Sequence, residues 1–235
     1  TDQNDYLWNV IKIENNQCIY LIGDGNFPGG RKPFIDKYNF LTGTKERIYE
    51  SNLTDEQEDI MGVIDIGKGD IYTLIQSKNK YPNFYLRNIF TTTLHQLRHF
   101  NNPFYKLEKV QKKILNYKRE DGVELNAVLY LPPDYDVNKG DKLPLLMWAY
   151  PTEYKNKDTA GQNLNADNDF IYPFWGSPLY WVMRGYAILD NVSFPILGEN
   201  DDQPNETFTQ QLIANAKAAI DYVTELGYVD KNKVA

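Results

Sequence analysis

The sequence predicts two halves of different architecture: a first half of short antiparallel β-strands, and a second half of α/β type with parallel strands. Three observations carry that reading. From Tyr6 to about Phe100, short β runs are broken by turn residues. Leu143-Pro144-Leu145-Leu146-Met147-Trp148-Ala149 is a continuous apolar run, the pattern of a strand buried on both faces of a parallel sheet. Phe208, Leu212, Ala216, Ile220 and Val223 recur at helical spacing.

In the first half, Cys18-Ile19-Tyr20-Leu21-Ile22 is apolar and stops at Gly23-Asp24-Gly25. The runs 34–40 and 45–49 flank Thr42-Gly43, a hairpin signal. Runs over 60–66, 70–76 and 83–89 continue the pattern, with Gly67 and Gly69 between the first two. Such a series fits a sandwich, a barrel or propeller blades, with strands for about two blades.

After about Leu107 the grammar changes. Runs over 113–118 and 124–131 flank Asp121-Gly122, giving a long hairpin that Pro132-Pro133 ends. Ser177 to Arg184 reads as a short helix ending at Gly185, and Tyr186-Ala187-Ile188-Leu189-Asp190 as a second buried strand. Asn205 or Thr207 can cap the long helix, and Gly227 suits the position just past its end. Val229 onward begins another strand. Strand, helix, strand, helix, strand means a parallel sheet with right-handed crossovers.

A chain of 235 residues accommodates one large domain or two modest ones. Its net charge of −7, with no Lys/Arg block, argues against nucleic acid or an anionic membrane as partner. The lone Cys18 rules out an internal disulfide and any cysteine-rich metal site, and leaves the compartment open. No apolar run approaches the roughly 20 residues a membrane span needs. Neither a Gly-rich phosphate loop nor a His/Cys metal spacing is present, so no cofactor is implied. The chain starts at Thr1 without a Met, and residues 230–235 read as a turn and the first residues of a strand, so a piece of a longer protein is expected.

Candidate chemistry gathers where a buried strand ends in Trp148-Ala149-Tyr150-Pro151. Pro151 lacks an N–H and fixes φ, so the strand is expected to stop there. That places Tyr150 at the carboxyl edge of a parallel sheet, where the ligands of open α/β sheets collect. A tyrosine hydroxyl there can donate to a developing oxyanion. On spacing alone the plainer reading, an aromatic ring plugging the sheet edge, is the stronger. Glu199, Asp201, Asp202 and Glu206 crowd the approach to the long helix and are read as structural, because acidic residues near a helix start are favoured by its dipole. His95 and His99 lie in the β-rich half and are read as surface residues.

The stretch Tyr117-Lys118-Arg119-Glu120-Asp121-Gly122-Val123-Glu124-Leu125, followed by Leu129-Tyr130-Leu131-Pro132-Pro133, resembles the opening of the catalytic domain of prolyl oligopeptidase-family serine peptidases. Leu143-Pro144-Leu145-Leu146 leading into Ala149-Tyr150-Pro151 is similar to that domain's third strand and tyrosine turn. Asp158-Thr159-Ala160-Gly161-Gln162, Trp175-Gly176-Ser177-Pro178-Leu179, Gly185-Tyr186-Ala187-Ile188-Leu189-Asp190, Pro195-Ile196-Leu197-Gly198-Glu199 and Pro204-Asn205-Glu206-Thr207 resemble the glutamyl endopeptidase branch. Upstream, Gly23-Asp24-Gly25 through Pro33-Phe34-Ile35-Asp36, and Pro82-Asn83-Phe84-Tyr85-Leu86-Arg87, resemble the last blades of the family's propeller.

The resemblance implies C-terminal blades of a β-propeller over residues 1–106, then over 107–235 the first half of an α/β-hydrolase domain, truncated before the nucleophile elbow. It implies a serine endopeptidase acting on peptides, cleaving after Glu by acyl-enzyme chemistry, with Tyr150 as one arm of the oxyanion hole. The catalytic triad would lie beyond residue 235, so this chain alone is expected to be inactive, with the rest of its own catalytic domain as partner. Lys155, Lys157 and Arg184 are the nearby cations for a substrate carboxylate, Lys155 and Arg184 being the binding candidates. An aminopeptidase or acylaminoacyl-peptidase of the same family, and a non-catalytic peptide-binding subunit, are the alternatives.

Overall fold

A computed structural model describes residues 2–3, 9–27, 30–160, 165–198 and 203–235. The chain divides into two compact units: Thr1–Asn101 with Asn168–Phe170, and Asn102–Asp167 with Ile171–Ala235. The division falls after Asn101, a little before the residue-106 boundary read from the sequence.

In the first unit, β1 (Asp2–Gln3) and β2 (Asn9–Val10) form a short antiparallel pair. Then follow β3 (Cys18–Gly23), β4 (Asn26–Phe27), β5 (Gly30–Arg31), β6 (Phe34–Asn39) and β7 (Thr44–Glu50). β3, β6 and β7 make one antiparallel sheet, and the expected hairpin turns between Asn39 and Thr44, with Gly43 at φ +71°. A second antiparallel sheet has the order β11-β10-β9-β8, from β8 (Gln57–Asp65), β9 (Asp70–Ser77), β10 (Lys80–Asn88) and β11 (Leu94–Gln96). Between β8 and β9 the turn requires Gly69: its φ is +81°, and a Cβ there would lie 2.6 Å from the Phe90 ring.

Alternation along the strands sets this unit's interior. Ile71 and Ile75 on β9 are fully buried, while β10 turns Asn83, Tyr85 and Arg87 inward. The two polar ones are satisfied. Asn83 accepts from the Phe100 amide at 2.6 Å, and Arg87 pairs with buried Glu58. Tyr49 of β7 also donates to Glu58, at 2.6 Å, so a three-residue polar knot joins the two sheets. Burial, and secondly the bond to Glu58, push the Tyr49 phenol well above its ordinary pKa. Asn168–Phe170 are held in this unit by Arg31 on Asp169 at 2.7 Å, by Asn168 on the Thr54 carbonyl at 2.8 Å, and by the Phe170 amide on Gln76 at 3.2 Å.

The second unit is one five-stranded sheet of order β12-β13-β15-β14-β16, from β12 (Gln111–Lys118), β13 (Glu124–Leu131), β14 (Leu143–Tyr154), β15 (Ala187–Leu197) and β16 (Val229–Val234). It is mixed: β14 runs parallel to β15 and β16, while β13 is antiparallel to both β12 and β15. Two helices accompany it, α1 (Lys157–Ala160) and α2 (Phe208–Glu225). On the α2 side, Leu125, Ala127, Leu129 and Leu131 of β13 pack with Leu145, Ala187, Leu189, Ala219 and Val223. On the opposite face, Val128 and Tyr130 pack with Leu107, Val110, Ile171, Leu179, Val182 and Ile188. The strands covered on both faces are therefore β13 and β15, whose Ala187 and Leu189 face α2 while Ile188 faces the other side.

Three expectations are corrected. β14 is not buried on both faces: only Leu145 is fully inside, and Trp148 and Tyr150 are exposed, because the apolar run is longer than the length that neighbouring layers cover. β14 also does not stop at Pro151 but pairs with β15 through Tyr154. Leu145 and Met147 bond Ala235 on the β16 side, and residues of like parity direct their backbone to that side. Pro151 shares that parity, so its missing N–H removes nothing from the β15 ladder. The short helix read over Ser177–Arg184 is present as a 3-10 helix over Pro178–Arg184, capped by the Ser177 hydroxyl and ended by Gly185 at φ +87°, as the sequence predicts. At the start of α2, Thr207 holds the cap position, but its hydroxyl accepts from Gln211 at 2.8 Å and caps no amide. Gly227 stands just past the helix end at φ +82°, as the sequence predicts.

Candidate active-site edge

Parallel pairing puts the carboxyl ends of β14 and β15 together, with Tyr150 level with Ser193 and Tyr154 level with Leu197. Side chains two apart on a strand share a face. Leu146, Trp148 and Tyr150 therefore lie on the face opposite α2. Leu146 packs into the Val128–Ile188 cluster, and Tyr150 stands beyond it, 71% exposed. Its ring meets Trp148 edge-on, with centroids 5.9 Å apart and planes at 74°. This leaves the hydroxyl outward, and among the described residues it makes no hydrogen bond. A free donor on the exposed face of β14, four residues before the strand ends, suits an acceptor that arrives from outside.

Lys155 immediately follows β14, so it stands at the carboxyl end of the strand, five residues beyond Tyr150, and is exposed. Arg184 does not. It ends the 3-10 helix that precedes β15, and Ala187 is level with Leu145, so Arg184 belongs to the opposite, amino edge of the sheet. Lys157 lies in α1 beside the cleft formed by Arg119, Asp121, Leu197, Thr207 and Gln211. Glu206 is exposed in a 3-10 turn over Pro204–Thr207, while Glu199, Asp201 and Asp202 lie outside the described residues. His95, in β11, and His99 are exposed in the first unit.

Sequence reasoning missed the polar assembly behind this edge. A register irregularity in β15, with Asn191 at φ +48°, lies where β13 leaves: β13 pairs only with Ile188–Asp190. From Val192 onward, no strand among the described residues pairs with that side of β15. Side chains of α2 bond there instead. The Gln211 carboxamide accepts from the Leu197 amide at 2.9 Å and donates to the Leu197 carbonyl at 2.8 Å, as a neighbouring peptide group would. Asn215, 0% exposed, donates to the Pro195 carbonyl at 3.0 Å. The signal available was Asn215 itself, a polar residue four positions before buried Ala219 on the helix face that must pack.

Among the described residues, no group of three or more His, Cys, Asp and Glu side chains could hold a metal ion, and no helix is long and apolar enough to cross a membrane.

No protein-family model matches the chain. It is 38% identical over its whole length to a protein of Arabidopsis thaliana named "Probable glutamyl endopeptidase, chloroplastic", and 37% identical over 96% of its length to one of the same name from Oryza sativa subsp. japonica. It spans about a quarter of each of these relatives (26% and 25%). Among solved structures, it is similar in fold to dipeptidyl peptidase 4 of Porphyromonas gingivalis (TM-score 0.57, 16% identity, 92% of this chain and 29% of that one). It is likewise similar to oligopeptidase B of Leishmania major (TM-score 0.56, 8% identity, 97% and 31%) and to the apo AtxE2 isopeptidase (TM-score 0.56, 16% identity, 98% and 34%). At these identities the structures speak for the fold alone.

Proposed function

We propose that this chain, whose kin are the glutamyl endopeptidases of the prolyl oligopeptidase family, forms part of a serine endopeptidase that cleaves peptides after Glu. The observation that carries the reading is the relation to the two plant proteins over essentially the whole chain. Its two successive antiparallel sheets serve as the last blades of a propeller, and its mixed sheet as the first half of an α/β-hydrolase domain.

In the reaction, a serine supplied from outside these residues attacks the scissile carbonyl and a histidine takes its proton. Negative charge develops on the former carbonyl oxygen. Tyr150, with an unengaged hydroxyl on the exposed face of β14 toward its carboxyl end, donates to that oxygen, and the edge-on contact with Trp148 orients the ring. Lys155, at the carboxyl end of the strand, receives the carboxylate of the residue before the cut. Arg184, at the amino edge, takes no part.

Fluorophosphonate labelling of the full-length protein, read by mass spectrometry, tests the proposal. A single labelled serine C-terminal to Ala235 is expected. A folded full-length protein that takes no label overturns the peptidase reading and favours a non-catalytic peptide-binding subunit.

A further inference from the structure

Arg119 follows β12 at the tip of the β12–β13 hairpin, yet its side chain is only 4% exposed. All five of its N–H donors are directed at acceptors. Nε and Nη2 grip the two carboxylate oxygens of Asp121 at 2.9 and 2.7 Å. Nη1 reaches Asn215 Oδ1 at 2.9 Å and the Pro195 carbonyl at 3.3 Å, and Nη2 also reaches Gln211 Oε1 at 3.4 Å. One planar group thus joins the hairpin tip, the buried face of α2 and the side of β15 that β13 has left. Only a guanidinium has this number of donors in a fixed fork; a lysine carries three on a single point.

The acceptors are not arbitrary. On the side of β15 away from β14, Asn215 bonds the Pro195 carbonyl and Gln211 bonds both backbone groups of Leu197 once β13 has left. This end of β15 is the strand against which Thr152 to Tyr154 are registered, and Ser193 on the same strand is level with Tyr150. Asp121 is itself held ionised, its pKa below the ordinary carboxylate value chiefly through the Arg119 bond. Arg119 therefore remains charge-compensated while buried, which a lone buried cation would not be.

We infer that Arg119 is a positioning residue: acting through Gln211 and Asn215, it fixes the carboxyl end of β15 and so the part of β14, Tyr150 included, that pairs with it. The inference rests on the peptidase reading for its catalytic consequence, but its structural half stands apart from it.

The test is Arg119→Lys in the full-length protein, with two readouts. The first is amide hydrogen exchange at Leu197, expected to quicken about tenfold while the β12–β13 ladder is unchanged, on the order of one or two lost hydrogen bonds. The second is a double-mutant cycle with Tyr150→Phe on peptide hydrolysis. The effect of removing the phenol is expected to shrink in the Arg119→Lys background, because a displaced hydroxyl has less to lose. Equal effects of Tyr150→Phe in both backgrounds would show a merely structural role and overturn the inference, as would unaltered exchange at Leu197. If Arg119→Lys does not fold, Gln211→Met, which removes the clamp on Leu197 together with the contacts to Arg119 and Thr207, is put through the same two measurements with the same expectations. Wild-type protein that hydrolyses no peptide would sink the peptidase reading, leaving exchange at Leu197 to decide this one.

Discussion

Arg87 Nε lies 2.7 Å from Glu58 Oε1, and the two side chains are 9% and 0% exposed. Tyr49 completes the pair by donating to the other carboxylate oxygen, and its ring lies under the guanidinium, 5.9 Å from centroid to Cζ. Removing one partner strands the other charge in a dry interior. Arg87→Met is therefore expected to destabilise the first unit by about 3–5 kcal/mol, whereas replacing both charges, Arg87→Met with Glu58→Leu, costs much less. Urea denaturation of the single and double variants distinguishes these; equal losses would mean that the two buried charges do not compensate each other.

Removal of the Tyr150 hydroxyl tests the oxyanion role. Tyr150→Phe keeps the ring against Trp148 and, with 71% of the residue exposed, leaves the fold intact. In the full-length enzyme kcat is expected to fall on the order of 10²–10³-fold with KM little changed. A wild-type rate would remove Tyr150 from the mechanism.

Lys155 provides a test of specificity. Lys155→Met is expected to lower kcat/KM about tenfold for peptides with Glu before the cut, and to leave matched Gln peptides unaffected, since only the former loses a charge-assisted bond. Arg184→Met, at the opposite edge, changes neither. Parallel losses on both peptides would show that Lys155 does not read the carboxylate.

Asp190 gives a pH dependence with a definite sign. Burial raises its pKa above the ordinary 3.8, partly offset by the Asn191 amide donating to it at 2.9 Å. The folded state thus binds this proton more tightly than the unfolded chain does. The stabilisation that results is fully present below pH 3.8 and is lost as pH rises through the folded-state value. Asp190→Asn, which keeps an acceptor but carries no charge, should flatten that decline in a plot of urea midpoint against pH. An unchanged slope would mean that the carboxylate is solvated in the folded protein.

How much of this was legible in the sequence follows from the range of the forces concerned. The β6–β7 and β12–β13 hairpins were readable because their turns need residues such as Gly43 and Gly122, both at positive φ, within a few positions of the strands they join. The helix α2 was readable from its apolar spacing and from Gly227. The mixed character of the second sheet was not, because β13 meets β15 across some 60 residues of intervening chain and no local pattern records that it runs antiparallel. Pro151 misled for a related reason: whether a missing N–H matters depends on which side of the strand has a partner.

The sequence by itself determined the element types and the two-part organisation, and it pointed to Tyr150 as a candidate on the central parallel strand. Only the tertiary structure decided that Lys155 follows the carboxyl end of β14 while Arg184 lies at the amino edge, and that Arg119, Gln211 and Asn215 close the open side of β15. Local propensity and periodicity act over one turn or one strand. Arg119 finds Asn215 96 positions away, and a hydrogen bond of 2.9 Å between such groups exists only once the sheet and helix have packed.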